Sequence, residues 1–339
     1  MGYFMRKLIG ELRGDVTIVA STYNRAPVLS RALRTVLKQT HRNWRALIIG
    51  DQCDQETADC VAAFQDPRLR FINLPERFGE QSGPNSVGMA LADTPYIAFL
   101  NHDDLWLPDH LSNALKALKV SRAELVWSQA AIFTGRGPRD DRPYFVHCTP
   151  PGRNLDAAFD APFFYGEPIS CWVGRTDLFR RIGPMTPAAD VDGTSLQDYC
   201  KRLNQAGVRL KALDDITVLK DQMRLRPPVY AHDGTYAERW TRMIENGETD
   251  AIRSEIDEDV WLANLLGETD RFEPPSPPDQ STQLARVARE SGIDLNRALI
   301  KARGSKLDML GRVVTHRTGQ SVARQAELAA MIDHARAML

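Results

Sequence analysis

The sequence predicts an α/β protein with a mostly parallel, doubly wound central sheet, and three observations lead there. Short β-rich runs alternate with amphipathic helical runs through the first half of the 339-residue chain. Proline and glycine punctuate the joints between them. Four of the candidate strands there end in a cluster of polar residues, and in an open parallel sheet ligands bind outside the carboxyl ends of the strands.

The elements run in order along the chain. "VTIVA" (16–20) is the first strand. Pro27 opens a helix with Leu29, Ala32, Leu33, Val36 and Leu37 on one face and Arg31, Arg34 and Lys38 on the other. "RALIIG" (45–50) is the next strand, and "ETADCVAAFQ" (56–65) suits a helix that Pro67 stops. "LRFINL" (69–74) is a strand, "PNSVGMALA" (84–92) a helix and "YIAFL" (96–100) a strand. "LPDHLSNALKALK" (107–119) reads as a helix and "AELVWSQ" (123–129) as a strand. Residues 135–195 are less regular, and a helix near 196–206 and a strand, "VRLKAL" (208–213), come after them. From about 235 the pattern is helical, and "EPPSPPDQ" (273–280) reads as a linker.

Composition narrows the function. Lys and Arg number 43 against 44 Asp and Glu, a net charge of -1, so there is no global basic field and no nucleic-acid partner is expected. No apolar run approaches the ~20 residues of a spanning helix. "MGYFMRKLIGELRGD" makes a poor signal peptide. The five cysteines, Cys53, Cys60, Cys148, Cys171 and Cys200, form no C-x-x-C pair and read as reduced thiols of a cytoplasmic protein. Residues 281–339 carry an excess of positive charge on what read as amphipathic helices. That is a solvated helix face, or a surface for peripheral contact with an anionic membrane or for association with a partner, including a second copy.

The polar strand exits carry the chemistry. They are Ser21-Thr22-Tyr23-Asn24-Arg25, Asp51-Gln52-Cys53-Asp54, Pro75-Glu76-Arg77 and Asn101-His102-Asp103-Asp104. A structural sheet needs turn residues there, but not this concentration of acids, amides and an aromatic.

Four stretches resemble glycosyltransferase family 2, whose members have the GT-A fold. They are "STYNRAPVLSRALRTVLKQT", "NWRALIIGDQCDQET", "GPNSVGMALADTPYIAFLNHDDLWLPDHL" and "LQDYCKRLNQAG", in the family's order, over about residues 14–235. The resemblance implies a nucleotide-binding half, 14–130, and an acceptor half, 131–235. A short segment, 1–13, precedes them and a helical extension, 236–339, comes after.

The resemblance also implies roles. Asp103 matches the metal-binding acid of the family's Asp-x-Asp motif, with Asn101 in place of the first acid and His102 in the variable position. A cation, Mn²⁺ or Mg²⁺, would neutralise a diphosphate leaving group, and His232 sits where relatives carry a histidine near it. Asp51 matches the acid that takes a base imide N–H, which favours a UDP- or dTDP-sugar; Gly50 stands where an Asp is usual. Tyr23 can stack on the base, and Ser21, Thr22 and Arg25 can face the nucleotide. Asp198 matches the catalytic base for inverting transfer, with Gln197 in place of the usual Glu and Trp172 bordering the acceptor. Ser195 and Asp198 also have the spacing of a helix capping box. The expected partners are a nucleotide-diphosphate sugar donor and a glycan or lipid-linked acceptor of surface-polysaccharide synthesis, with an enzyme in the cytoplasm or peripheral at the inner face of the membrane. Two other readings remain open: an inactive sugar-nucleotide-binding or scaffolding module, motivated by Asn101, Gly50 and Gln197, and a nucleotidyltransferase.

Overall fold

The computed structural model describes residues 15–134, 142–149, 168–191, 194–221, 235–266 and 325–339. In chain order its elements are β1 (Val16–Thr22), α1 (Ala26–Leu37), β2 (Trp44–Gly50), α2 (Gln55–Ala62), β3 (Leu69–Asn73), α3 (Ser82–Leu91) and β4 (Tyr96–Asn101). Next come β5 (Leu105–Trp106), α4 (His110–Ser121), β6 (Leu125–Thr134), β7 (Tyr144–Cys148), β8 (Trp172–Arg175), α5 (Thr176–Ile182), α6 (Ser195–Gln205) and β9 (Leu210–Asp221). Three helices end the described chain: α7 (Glu238–Asn246), α8 (Thr249–Leu265) and α9 (Gln325–Ala337).

All nine strands form one sheet in the order β3-β2-β1-β4-β8-β6-β9-β5, with β7 paired to β6 off this path. The β3-β2-β1-β4 half is parallel throughout. Its β1 is buried along its whole length, as a central strand covered by helices on both faces must be. The other half is mixed: β8 lies antiparallel between β4 and β6, while β9 runs parallel to β6. This is the α/β architecture expected from the strand–helix alternation.

Helix α1 packs the predicted face, with Leu29, Ala32, Leu33 and Val36 fully buried. Each such side chain stabilises the fold by ~1.5–3 kcal/mol. On the opposite face Arg31 is buried, and Arg34 is held between Glu238 at 2.8 Å and Glu245, both from α7. Helix α7 thus lies against the charged side of α1. A Cβ at Gly88 would stand 2.2 Å from Val19 Cγ1, so a side chain there would hold α3 off β1.

The helical end packs on the sheet through two further clusters. Trp240 of α7 stands 4.6 Å, ring to ring, from both Phe133 and Phe145, and Ile252 and Ile256 of α8 join them. Helix α9 places Leu328, Met331 and Ala335 against Leu47, Ile49, Phe78 and Val87. No helix among the described residues is long and apolar enough to cross a membrane.

Three expectations about elements change. The helix read from 107 starts at His110, because residues 105–106 pair with β9 and the Leu107 N–H donates to Thr217 O at 2.9 Å. The strand read over 208–213 continues to Asp221. The irregular middle contains β7, β8 and α5. The linker at 273–280 and the segment 1–13 lie outside the described residues.

Candidate active site

Strand register builds the site. Thr22 pairs with Gly50 and Ser21 with Asn101, so three strand ends stand at one level. The Asp51 N–H donates to Thr22 O at 2.9 Å and continues that pairing into the loop. Asn24 and Arg25 then turn through positive φ, 49° and 59°, so the chain bends sharply out of β1 before entering α1. Asn24 Oδ1 accepts the Asp54 N–H at 2.9 Å and ties this turn to the next loop.

The departure at Gly50 has a steric cause. A Cβ there would stand 2.7 Å from Asn73 Oδ1 and 2.8 Å from the Phe71 ring. That Asn73 amide is occupied: it accepts from the Cys53 N–H at 2.8 Å and donates to Cys53 O at 2.9 Å. The loop after β2 is therefore clamped from β3, and a side chain at 50 would displace the clamp.

A cavity opens at this level, lined by Ser21, Thr22, Tyr23, Asp51, Arg77 and His102, and by the turn of Gly79, Glu80, Gln81 and Pro84. Five of the expected site residues thus meet in one pocket. Asp51 is buried, and its two oxygens accept the N–H groups of Phe78 at 2.6 Å and Gly79 at 2.9 Å. Burial outweighs those bonds and raises its carboxyl to about 6. The Arg77 guanidinium lies 3.5 Å above the Tyr23 ring, so one face of that aromatic is already covered. Arg77 Nε and Nη2 are buried without a hydrogen-bond partner. Orphaned donors of this kind cost about 1–3 kcal/mol each, which an acceptor-rich ligand would recover.

The turn after β4 separates its two acids. Asp104 is fully buried, accepts from Ser170 Oγ at 2.5 Å and pairs with Lys220 Nζ at 3.3 Å. Its neighbour Asn101 donates its N–H to Ser170 Oγ at 3.0 Å and leans its side-chain amide toward Asp104 at 3.5 Å. Asp103 is half-buried. Burial raises its carboxyl, but His102, Lys220 and Arg25 outweigh burial and hold it below the usual range. Burial keeps His102 below its usual range, and its Nε2 lies 3.4 Å from Arg25 Nη1. Neither acid caps α4. Among the described residues no group of three or more His, Cys, Asp or Glu side chains could hold a metal ion. Asp103 alone fits a cation held largely by phosphate oxygens, because Mg²⁺ needs only one or two carboxylates beside its phosphates. His232 lies outside the described residues.

At α6 the capping expectation is corrected. The cap is Thr194, which accepts the Gln197 N–H, while Gln197 Oε1 accepts the Thr194 N–H at 2.8 Å. Gln197 therefore closes the box, and Asp198 is released from it. Asp198 Oδ2 accepts from Thr186 Oγ1 at 2.8 Å and Arg202 Nε at 3.0 Å, and no described residue donates to Oδ1. Trp172, expected to border the acceptor, is a core residue. It is 0% exposed, because β8 is inserted between β4 and β6, and it packs against Trp127 and Tyr199.

The model of the family described as glycosyl transferase family 2 matches residues 17–183. That match covers just under half of the 339-residue chain. The chain is 33% identical over 117 residues to the succinoglycan biosynthesis protein ExoW of Rhizobium meliloti (strain 1021), a match covering 33% of this chain and 37% of that protein. It is 31% identical over 117 residues to the UDP-Glc:alpha-D-GlcNAc-diphosphoundecaprenol beta-1,3-glucosyltransferase WfgD of Escherichia coli, covering 34% and 46%. The match spans less than half the length of either relative. The crystal structure of S. aureus TarS 1-349 in complex with UDP-GlcNAc superimposes with a TM-score of 0.49 at 15% identity, over 64% of this chain and 61% of that one. The fold class is the α/β class that the sequence predicts, one mixed sheet flanked by helices.

Around this site, sequence reasoning missed Glu80, Gln81, Ser170 and Lys220. Glu80 and Gln81 lie in a turn with no periodic signal, and Ser170 and Lys220 reach Asp104 from more than sixty residues away. Asp104→Ala should cost about 2–4 kcal/mol in urea unfolding, since it strands Lys220; the lower half of that range reflects the 29% exposure of the lysine side chain. A loss below about 0.5 kcal/mol would show that the pair does not hold the turn.

Proposed function

We propose that this chain is an inverting glycosyltransferase of surface-polysaccharide synthesis. It transfers a sugar from a nucleoside diphosphate donor, UDP- or dTDP-linked, to a hydroxyl of a glycan or lipid-linked acceptor. The observation that carries this reading is the pairing, in one pocket, of the Asp51 acceptor with the orphaned donors of Arg77. A pyrimidine imide presents the complement of that pair: one N–H for a carboxylate and flanking carbonyl oxygens for a guanidinium. The names of ExoW and WfgD, a succinoglycan biosynthesis protein and a glucosyltransferase acting with UDP-Glc on a diphosphoundecaprenol-linked sugar, support the same class of donor and acceptor.

The chemistry assigns each residue a task. Ser21, Thr22 and Tyr23 bind the nucleotide together with Asp51 and Arg77. Asn101, His102 and Arg25 line the path from there to Asp103. Asp103, with His232 as the resemblance implies, would hold Mn²⁺ or Mg²⁺, which neutralises charge on the departing diphosphate. Asp198 Oδ1 takes the proton of the acceptor hydroxyl. The acceptor oxygen bonds to the anomeric carbon, and the bond from that carbon to the diphosphate oxygen breaks on the opposite face. Its electron pair leaves with the diphosphate, and the configuration inverts.

Three outcomes test this. Among UDP-glucose, UDP-N-acetylglucosamine, UDP-galactose and dTDP-rhamnose, at least one should be hydrolysed slowly, and Asp198→Ala should lower that rate at least about 100-fold while UDP still binds. Binding of a donor with no turnover by the wild type would instead mark an inactive module. Calorimetry should find no Mn²⁺ binding to the free protein and tighter UDP binding once Mn²⁺ is added, a gain that Asp103→Ala removes. Tight binding of Mn²⁺ alone would contradict the single-carboxylate site. The third outcome concerns pH. An imide N–H donated to Asp51 favours its ionised form, so binding lowers a carboxyl that stands at about 6 in the free protein. UDP affinity is then full above that value and falls as pH drops through it. Asp51→Asn should leave only the pH dependence of the phosphate itself, and identical profiles for the two proteins would remove Asp51 from the base contact.

A further inference from the structure

Glu80 lines the donor pocket, yet most of its bonds go elsewhere. Oε1 accepts from Ser82 Oγ at 2.6 Å and from the Ala188 N–H at 2.6 Å, and Ser195 Oγ donates to both oxygens at 3.0 Å. Ala188 lies two residues after Thr186, whose hydroxyl holds Asp198. Ser195 is the first residue of α6, three residues before Asp198 and on the same side of the helix. One carboxylate from the pocket wall therefore grips both sides of Asp198: the segment that supplies its partner and the turn that carries it. Met185 is tied to the same wall, its N–H donating to Ser86 Oγ of α3 at 2.9 Å.

We propose that Glu80 is a positioning residue that sets Asp198 in register with the donor pocket. The inference rests on Asp198 being the base of the proposed transfer. The physical need is clear. Asp198 and Asp51 sit on elements more than 140 residues apart in sequence, and a misplacement of about 1 Å can cost ~100-fold in rate. A surface contact would be too weak to hold that distance. A half-buried carboxylate that accepts from two hydroxyls and a backbone N–H is held more stiffly than one with a single partner. Burial raises the Glu80 carboxyl, while Ser82, Ala188 and Ser195 all favour its charged form.

The test uses the full chain, with UDP release from UDP-glucose and UDP-N-acetylglucosamine as the rate and UDP calorimetry as the count of competent sites. Glu80→Gln and Ser195→Ala should each lower kcat about 10–100-fold, with donor KM within about threefold of wild type and UDP stoichiometry unchanged. Glu80→Asp, which keeps the charge but shortens the reach, should recover less than Glu80→Gln if shape sets the register. In hydrogen exchange, UDP should slow the amides of residues 194–200 in the wild type and leave them unaffected in Glu80→Gln. Unchanged kcat in both variants overturns the proposal. So does a rise in donor KM at constant kcat, which would make Glu80 a donor contact, and so does a fall in kcat matched by a loss of UDP-binding sites. Asp198→Ala separates the two layers. If that variant is fully active, the base assignment fails; if it is inactive while Glu80→Gln is normal, only the link from Glu80 fails.

Discussion

The in-register parallel pairing of β1 with β2 on one side and β4 on the other is the constraint on which the site depends. Ladder hydrogen bonds place Thr22 beside Gly50 and Ser21 beside Asn101. A shift of one residue in either ladder would turn every side chain to the opposite face of the sheet. It would also separate Asp51 from the Ser21–Tyr23 turn. The register is held because β1 is buried along its whole length, so no slipped pairing can bury the same apolar set. The loop that leaves each strand inherits that alignment. The left-handed turn at Asn24 and Arg25, the Asn73 clamp on Cys53 and the Phe78–Gly79 grip on Asp51 are local devices that keep three loops at one height.

Charge is distributed at the site by burial rather than by number. Asp103 and Asp104 are adjacent in sequence and opposite in circumstance. Asp104 is enclosed with Lys220 and Ser170 and serves as an internal strut between the β4–β5 turn and β9. Asp103 stands beside His102 and within the influence of Arg25 and Lys220, which keep it ionised. Asn101 adds no charge and extends an amide toward Asp104. A third carboxylate there would stand against the buried Asp104 with one lysine to share. The neutral amide is the residue that this packing tolerates best.

Much of the β1–β4 architecture was legible from periodicity and from the polar ends of the strands. The runs at 16–20, 45–50, 69–74 and 96–100 became β1 to β4, and the helix opened by Pro27 became α1. Ser21, Thr22, Tyr23, Asp51 and His102 could be picked out because parallel strands deliver their carboxyl ends to one edge. The rest of the sheet was poorly legible. Strand β8 is four residues long, and its place between β4 and β6 depends on partners far away in sequence. Trp172 looked like an acceptor platform and is a core residue for that reason. Arg34, read on the polar face of α1, is paired with Glu238 and Glu245, because α7 returns to that side of the helix. Ser195 and Asp198 had capping-box spacing, but the helix begins one residue earlier than that box requires, so Thr194 and Gln197 form the cap.

By itself, the sequence determined the alternation of strands and helices, the polar strand ends and the kinds of group that would meet there. Those are local properties, set by side-chain period, proline and glycine placement, and the chemistry of each residue. Only the tertiary structure decided which of two adjacent acids is spent inside the fold and which stays partly exposed. It also decided that Asp198 is free of the helix cap, and that Glu80 reaches from the pocket wall to the helix carrying Asp198. Each of these depends on groups brought together from distant parts of the chain. Burial and hydrogen-bond satisfaction assign their roles, and neither can be read from spacing along a single strand or helix.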